Sequence, residues 1–171
     1  MVMRRVILEK HNPLWETQYR REISLFREFL SGELLAAYHI GSTAIPAIRA
    51  KPVIDILLVV KSIQKLDDYN RRFEEIGYEA KGEFGIKGRR FFQKGGDART
   101  HHVHVFETGD PQISRHVRFR DYLLANAQAA RDYEKLKIQL AGQYKRDADA
   151  YVRGKAEFIG VIDNVCRNLE S

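Results

Sequence analysis

Residues 38–60 read YHIGSTAIPAIRAKPVIDILLVV, and this stretch decides the fold. Its last part is nearly continuous aliphatic and β-branched sequence, which is typical of a strand buried on both of its faces. Its first part predicts a strand that ends at Ile40 and is followed by a turn at Gly41 and Ser42. The sequence therefore predicts two strands connected through a Gly-Ser turn, with one acid, Asp55, inside the second strand.

The Gly-Ser turn and Asp55 form the strongest local signal for a functional site. An ionised carboxylate among aliphatic neighbours is costly to bury unless a cation or a hydrogen-bond donor meets it. Glycine lets the backbone approach a ligand closely, and amides at such a turn can hold phosphate oxygens. With the hydroxyl of Ser42 and the ammonium of Lys51, these are the parts of a nucleotide–metal site. The structural alternative makes Gly41 a plain turn and pairs Asp55 internally with Lys51 or an arginine.

A second candidate lies in residues 100–105, which read THHVHV. In a strand alternate side chains share a face, so His102 and His104 project together, opposite to two valines. Two imidazoles about 7 Å apart can line one pocket as metal ligands, proton carriers or phosphate contacts. His39, on the approach to the Gly-Ser turn, is a further candidate for the same pocket.

The basic residues suggest where phosphate charge could be neutralised. A guanidinium holds phosphate through its planar fork, which favours Arg90 beside Lys51 as a phosphate contact. Lys137 and Lys155, on later helical segments, are interpreted as surface charge. The net charge of +6 is spread over 171 residues and favours an anionic partner only weakly. Because no dense basic stripe is present, the sequence argues against nucleic acid as the partner.

Composition limits the class of protein. A chain of 171 residues, 44% hydrophobic and 30% charged, suits one domain with a packed core. Apolar stretches such as residues 56–60 are far shorter than the roughly 20 residues that a bilayer requires, so no membrane partner is expected. The lone Cys166 cannot form an internal disulfide, and residues 1–9 lack a signal-peptide pattern. Both observations predict a cytoplasmic protein.

The remaining segments predict a single domain with an α/β front over residues 1–110 and an all-helical back over residues 111–171. The sequence lacks the P-loop, the dinucleotide fingerprint, the Gly-x-Ser-x-Gly elbow and the His-Glu-x-x-His motif, which excludes the corresponding enzyme classes. Further strands are predicted over residues 4–9, 89–93 and 101–107. Helices are predicted from Trp15 onward and over residues 62–77, 117–124, 133–144 and 151–169.

Taken together, these segments resemble the GrpB family. The resemblance rests on residues 38–46 and 50–57. Further motifs match the family in the order in which they occur along the chain: residues 12–15, 77–78, 101–105 and 119–123, then Tyr133, Lys137, Tyr151, Lys155 and Phe158. It implies an α/β (α+β) fold of the nucleotidyltransferase-like type: a mixed sheet flanked by helices, with a C-terminal helical part. Active members of that superfamily use paired acids and two Mg²⁺ ions to bring an acceptor onto the α-phosphate of a nucleoside triphosphate.

The sequence departs from that pattern on two strands. Leu57 stands where a second acid is expected on the face of Asp55, and the later strand offers His102 and His104 where a third acid is expected. The resemblance still implies a protein that binds a nucleotide or another small phosphorylated ligand with Mg²⁺ or Mn²⁺. For a site with one carboxylate and histidines, several outcomes stay open: transfer of a nucleotidyl or phosphoryl group to a small acceptor, use of a single metal ion, different chemistry, or binding without turnover.

The site residues that follow from the resemblance fall into three sets. Asp55, His102 and His104 are the predicted catalytic set, and Asp55 with His104 the predicted metal ligands. The predicted phosphate contacts are Gly41, Ser42, Thr43, Lys51 and Arg90. The alternative function is a catalytically inactive domain that binds a protein partner or acts as a chaperone, which Leu57 favours. GrpB-like domains also occur joined to dephospho-CoA kinase, in agreement with such a role.

Overall fold

The computed structural model describes residues 4–171. Its five strands are β1 (Leu34–Ile40), β2 (Ile54–Val60), β3 (Tyr78–Ala80), β4 (Arg90–Lys94) and β5 (His101–Glu107). They form one mixed sheet in the order β1-β2-β5-β4-β3. Strands β2 and β5 are parallel, and the other neighbouring pairs are antiparallel. The parallel register sets Asp55 beside His102.

Seven helices surround this sheet within residues 4–171. They are α1 (Leu14–Phe29), α2 (Ile63–Leu66), α3 (Asn70–Glu75), α4 (Pro111–Ala125), α5 (Ala127–Gln143), α6 (Ala148–Gly154) and α7 (Ala156–Leu169). Side-chain oxygens of Asp110 and Asp147 accept hydrogen bonds from main-chain amides at the starts of α4 and α6. None of these helices is long and apolar enough to cross a bilayer.

Strand β2 is buried on both faces, as its composition predicts, because helices cover the sheet on each side. Ile54 and Ile56 point toward α1 and α3, where they join a core that includes Phe26 and Phe73. Leu57, on the opposite face, packs in a second cluster that includes Ile40 and Phe106. Asp55 shares that second face, since alternate side chains of a strand project to the same side.

The helical back packs on the segment between β1 and β2. Ile45 and Ile48 of that segment form a cluster with Leu123 of α4 and with Ala130 and Tyr133 of α5. This packing brings α4 and α5 over the Gly-Ser turn and the face of Asp55. The mixed α/β architecture with a C-terminal helical part is therefore confirmed.

Several predicted element boundaries were wrong. Residues 4–9 were predicted as a strand, but in the structure they make only one isolated bridge, from Glu9 to Ala50. The amide of Val6 instead donates to the carbonyl of Lys145, and its side chain packs with Leu140 and Tyr151. The segment therefore lies against the helical back. Residues 1–3, which the signal-peptide prediction includes, are outside the described residues.

Two predicted helices are interrupted. Residues 62–77 form α2, a 3-10 turn over residues 67–69 and α3. Two consecutive aspartates occupy the turn, and aspartate is a weak residue for a helix interior. Residues 151–169 contain the break between α6 and α7, next to Gly154. The short strand β3 was missed, since three residues are too few for a period-two pattern to be visible.

Candidate functional site

A cavity of about 360 Å³ lies between the Gly-Ser turn, the sheet and helices α4–α7. Every predicted site residue except Arg90 lines it: Gly41, Ser42 and Thr43 of the turn, then Lys51, Asp55, His102 and His104. Residues distant in sequence are thus brought to one place by the parallel pairing of β2 with β5 and by the connection from β1 to β2.

Gly41 allows the turn to pass directly over Asp55. Its backbone has a φ of +73°, in the left-handed region that favours glycine. A Cβ atom at this position would lie 2.7 Å from Oδ2 of Asp55, which is too close for any side chain. The glycine is therefore required both by the backbone conformation and by the carboxylate beneath it.

Asp55 is held by two histidines that are themselves held by two arginines. Its Oδ1 lies 3.4 Å from Nδ1 of His102 and 3.4 Å from Nε2 of His104. The second ring nitrogen of His102 faces the guanidinium of Arg99 at 3.2 Å, and that of His104 faces Arg89 at 3.3 Å. Since a guanidinium only donates, those ring nitrogens accept, and each imidazole directs its remaining N–H toward Asp55.

This network keeps Asp55 ionised. Burial raises the pKa of the carboxyl, but the hydrogen bonds from His102 and His104 outweigh burial, so the pKa lies well below its usual value. The side chain of Asp55 is 28% exposed and contacts the cavity. The predicted internal pairing with Lys51 or an arginine is therefore replaced by pairing with the two histidines.

Arg90 lies elsewhere. Its Nε is 2.7 Å and its NH2 nitrogen 3.1 Å from the two carboxylate oxygens of Asp67, so the guanidinium is bound in a bidentate pair away from the cavity. The neighbouring Arg89, which is 6% exposed, has its guanidinium 4.9 Å from the centre of the Phe91 ring and donates to His104. Arg90 therefore does not line the cavity, and neither does Arg89, which contacts the site through His104.

His39 supports the turn and does not line the cavity. Its Nε2 lies 2.9 Å from Oγ1 of Thr43, its Nδ1 lies 3.1 Å from Oε2 of Glu16, and its ring stacks on Tyr19. Burial lowers the pKa of His39 more than the neighbouring Glu16 raises it, so the ring is neutral. It therefore acts as a buried connection between α1 and the Gly-Ser turn.

Lysines of the helical back complete the cavity wall. Lys137 of α5 is 1% exposed, so its interpretation as surface charge was wrong, and Lys155 is half-buried. The ammonium groups of Lys51 and Lys155 lie 5.0 and 4.8 Å from the centre of the Tyr151 ring. Burial and the charge of neighbouring lysines lower the pKa of Lys137 to about 7 and that of Lys155 to about 8. Sequence reasoning missed this cluster because helical periodicity alone does not reveal a buried lysine.

Tyr133 connects the same helix to the turn. Its ring packs with Ile45 and Ile48, which follow the turn, and stacks on Phe158 at 5.1 Å. Burial raises the pKa of Tyr133 to about 12, although the neighbouring Ser42 opposes the shift. The side chain therefore stays protonated at neutral pH and holds α5 against the turn.

The residues present do not fit the two-metal centre that the resemblance implies. Residues 4–171 contain no group of three or more His, Cys, Asp or Glu side chains placed to hold a metal ion. Leu57 is fully buried and offers no oxygen. Asp55 is thus the one carboxylate at a position where a two-metal centre uses paired acids.

Comparison with known sequences shows which proteins this chain is similar to. The model of the family described as GrpB protein matches residues 5–164. The chain is 44% identical over 156 residues to UPF0157 protein YqkA of Bacillus subtilis, covering 91% of this chain and 46% of that protein. It is 36% identical to glutamate-rich protein GrpB of Alkalihalophilus pseudofirmus, covering 93% of this chain and 94% of that protein. A dephospho-CoA kinase of Mycolicibacterium paratuberculosis is 27% identical over a region that spans 84% of this chain and 42% of that protein.

Two solved structures bear on the fold. The crystal structure of GrpB from Enterococcus faecalis matches with a TM-score of 0.89 and 41% identity, covering 94% of this chain and 96% of that chain. Cid1 in complex with its product ApU matches with a TM-score of 0.52 and 11% identity, covering 75% of this chain and 41% of that chain. The second likeness shows a nucleotidyltransferase-like fold and nothing more. Because the family model matches most of the described residues and relatives match along most of the chain, this protein belongs to the GrpB family.

Proposed function

We propose that this protein binds a nucleotide or another small phosphorylated ligand in the cavity between the Gly-Ser turn and Asp55. The observation that carries the proposal is the meeting of Gly41 and Ser42 with three lysines at one cavity wall. Main-chain amides and a hydroxyl at a turn are suited to phosphate oxygens, and ammonium groups neutralise the phosphate charge. A volume of about 360 Å³ suits a small ligand rather than a polymer.

Transfer of a nucleotidyl or phosphoryl group is the reaction that we propose for the bound ligand. In nucleotidyl transfer an acceptor hydroxyl attacks the α-phosphorus of a nucleoside triphosphate and the bond to the leaving pyrophosphate breaks. In phosphoryl transfer it attacks the γ-phosphorus and the bond to the leaving nucleoside diphosphate breaks. In both reactions the hydroxyl proton passes to solvent. A carboxylate with a strongly lowered pKa is a weak base, so Asp55 would orient the acceptor by accepting its hydrogen bond. The two histidines would hold the carboxylate in that orientation.

Titration calorimetry with ATP, GTP, CTP and UTP tests the binding proposal. The wild-type protein should bind at least one of them with one site per chain. Gly41→Ala should abolish this binding, because the added Cβ displaces the turn from Asp55. Gly142→Ala is the matched control, since a Cβ at that exposed position of α5 meets no atom within 4 Å. Absence of binding of all four nucleotides by the wild type, with and without Mg²⁺, would refute the proposal.

A second candidate function is that of a partner-binding domain. The observation that favours it is the occurrence of a similar region inside longer chains named dephospho-CoA kinase. A domain that is joined to an enzyme in one chain can associate with that enzyme when the two are separate. Surface plasmon resonance with a separately expressed dephospho-CoA kinase tests this candidate. Binding that is insensitive to Gly41→Ala would support it, and absence of binding at micromolar concentrations would count against it.

A further inference from the structure

Three lysines at the cavity lack an acidic partner. Lys51 lies just before β2, Lys137 in α5, and Lys155 between α6 and α7. The lysines that form ion pairs within residues 4–171 are others, and none of these three ammonium groups lies within 4 Å of a carboxylate oxygen there. The ammonium of Lys137 donates to the main-chain oxygen of Arg49. Because lysine is rarely buried without a charged partner, the cluster has an excess of positive charge.

The other charged groups of the cavity are already paired. Nε of Arg115 lies 2.6 Å from Oδ2 of Asp163. Asp55 accepts hydrogen bonds from two histidines. The charge of Asp55 raises the pKa of each lysine, yet burial lowers all three by more. The protein itself therefore does not supply enough negative charge to balance the cluster.

A repeated spacing places two of the lysines. Tyr133 and Lys137 are four residues apart, and so are Tyr151 and Lys155. In a helix this spacing puts both side chains on one face, and each ammonium lies over the ring of its tyrosine, at 5.2 and 4.8 Å from the ring centre. The ring of Tyr151 also contacts Lys51, so both pairs direct positive charge to the same cavity.

From this geometry we propose that Lys51, Lys137 and Lys155 form a polyphosphate subsite that neutralises the phosphate chain of the ligand without a divalent metal ion. The inference rests on the proposed function and names its ligand class: a molecule with a diphosphate or triphosphate group. Three ammonium groups around one cavity wall match several phosphate charges better than one. They supply the positive charge that bound metal ions supply where paired acids are present.

The test uses tripolyphosphate and ATP as probes, titrated into the full chain by calorimetry in EDTA and again in Mg²⁺. Both probes should bind in EDTA, with affinities within about twofold of those in Mg²⁺. Inorganic phosphate should bind about tenfold or more weakly than tripolyphosphate, since it meets fewer ammonium groups.

Single lysine substitutions locate the subsite. Lys137→Met and Lys155→Met should each weaken tripolyphosphate binding about tenfold or more, which is the loss expected for one charge-assisted contact. Lys135→Met, on the exposed face of the same helix, removes the same charge and should change binding by less than about twofold. Circular dichroism confirms that each variant is folded, and Lys155→Arg should retain most of the affinity.

Asp55→Asn separates the metal-free site from a metal-mediated one. If the lysines neutralise the phosphates, loss of the Asp55 charge removes repulsion, and tripolyphosphate should bind equally or more tightly. If a metal on Asp55 bridges to the ligand, the same variant should lose binding. Dependence on Mg²⁺, or wild-type affinity in both lysine variants, would overturn this inference while leaving the proposed function intact. Absence of binding of every probe under all conditions would remove both.

Discussion

Nε2 of His104 lies 3.4 Å from Oδ1 of Asp55, while the other nitrogen of the same ring faces the guanidinium of Arg89 at 3.3 Å. The arrangement forms a chain from arginine through imidazole to carboxylate, and Arg99 and His102 repeat it on the other side. Both imidazoles thus face one carboxylate. The arrangement stabilises a negative charge without a metal ion.

The stability contribution of Asp55 should therefore depend on acid pH. Its pKa is lowered in the folded protein, so the contribution is fully present above the ordinary carboxyl pKa and is lost as the pH falls below about 4. Asp55→Asn should be about 1–3 kcal/mol less stable than the wild type at neutral pH. Urea unfolding between about pH 7 and pH 3 should show this difference decreasing on the acid side. A difference that is constant over the whole range would contradict the assigned ionisation.

The buried ammonium of Lys137 should lower the free energy of unfolding of the wild-type protein below neutral pH. Its pKa is about 7 in the folded protein and about 10.4 in an unfolded chain, so the unfolded state binds more protons between these values. Wild-type stability should therefore rise with pH across this window. Below about pH 7, Lys137→Met should be more stable than the wild type by on the order of a few kcal/mol, reduced by the loss of the hydrogen bond to Arg49. This advantage should disappear as the pH approaches about 10.

Thermal unfolding of Lys137→Met and the wild type at several pH values measures this effect. Lys135→Met provides the control, because its ammonium is exposed and its substitution should leave the pH profile parallel to that of the wild type. Parallel profiles for both variants would show that Lys137 is not desolvated.

Adjacent arginines should differ sharply when they are replaced. Arg89 is buried and donates to the carbonyls of Glu83 and Phe84 as well as to His104, so Arg89→Met should cost about 2–4 kcal/mol. Arg90 forms a partly exposed pair with Asp67, and Arg90→Met should cost at most about 1 kcal/mol. Chemical denaturation of the two variants measures both values. Equal losses would refute the assigned role of Arg89.

The local sequence pattern predicts most of the site residues that lie on the sheet. Residues 52–60 are predicted as a doubly buried strand because their aliphatic run has no polar alternation, and the structure forms the strand over residues 54–60. Asp55 is the one charged residue within that strand. The placement of His102 and His104 on a common face follows from period-two geometry alone. Arg90 was predicted as a phosphate contact from the chemistry of its guanidinium, which does not reveal that it pairs with Asp67 away from the cavity.

Sequence by itself determined the strand pair, the Gly-Ser turn, the single acid and the paired histidines, because each depends on interactions between residues that are close along the chain or repeat with the period of a strand. Tertiary structure alone decided that Lys51, Lys137 and Lys155 share one cavity. These lysines come from three separate segments, and the packing of Tyr133 and Leu123 on Ile45 and Ile48 brings the helical back over Asp55. Burial by residues that are distant in sequence removes water from these lysines and brings their charges together. The local spacing of residues along the chain does not predict this burial.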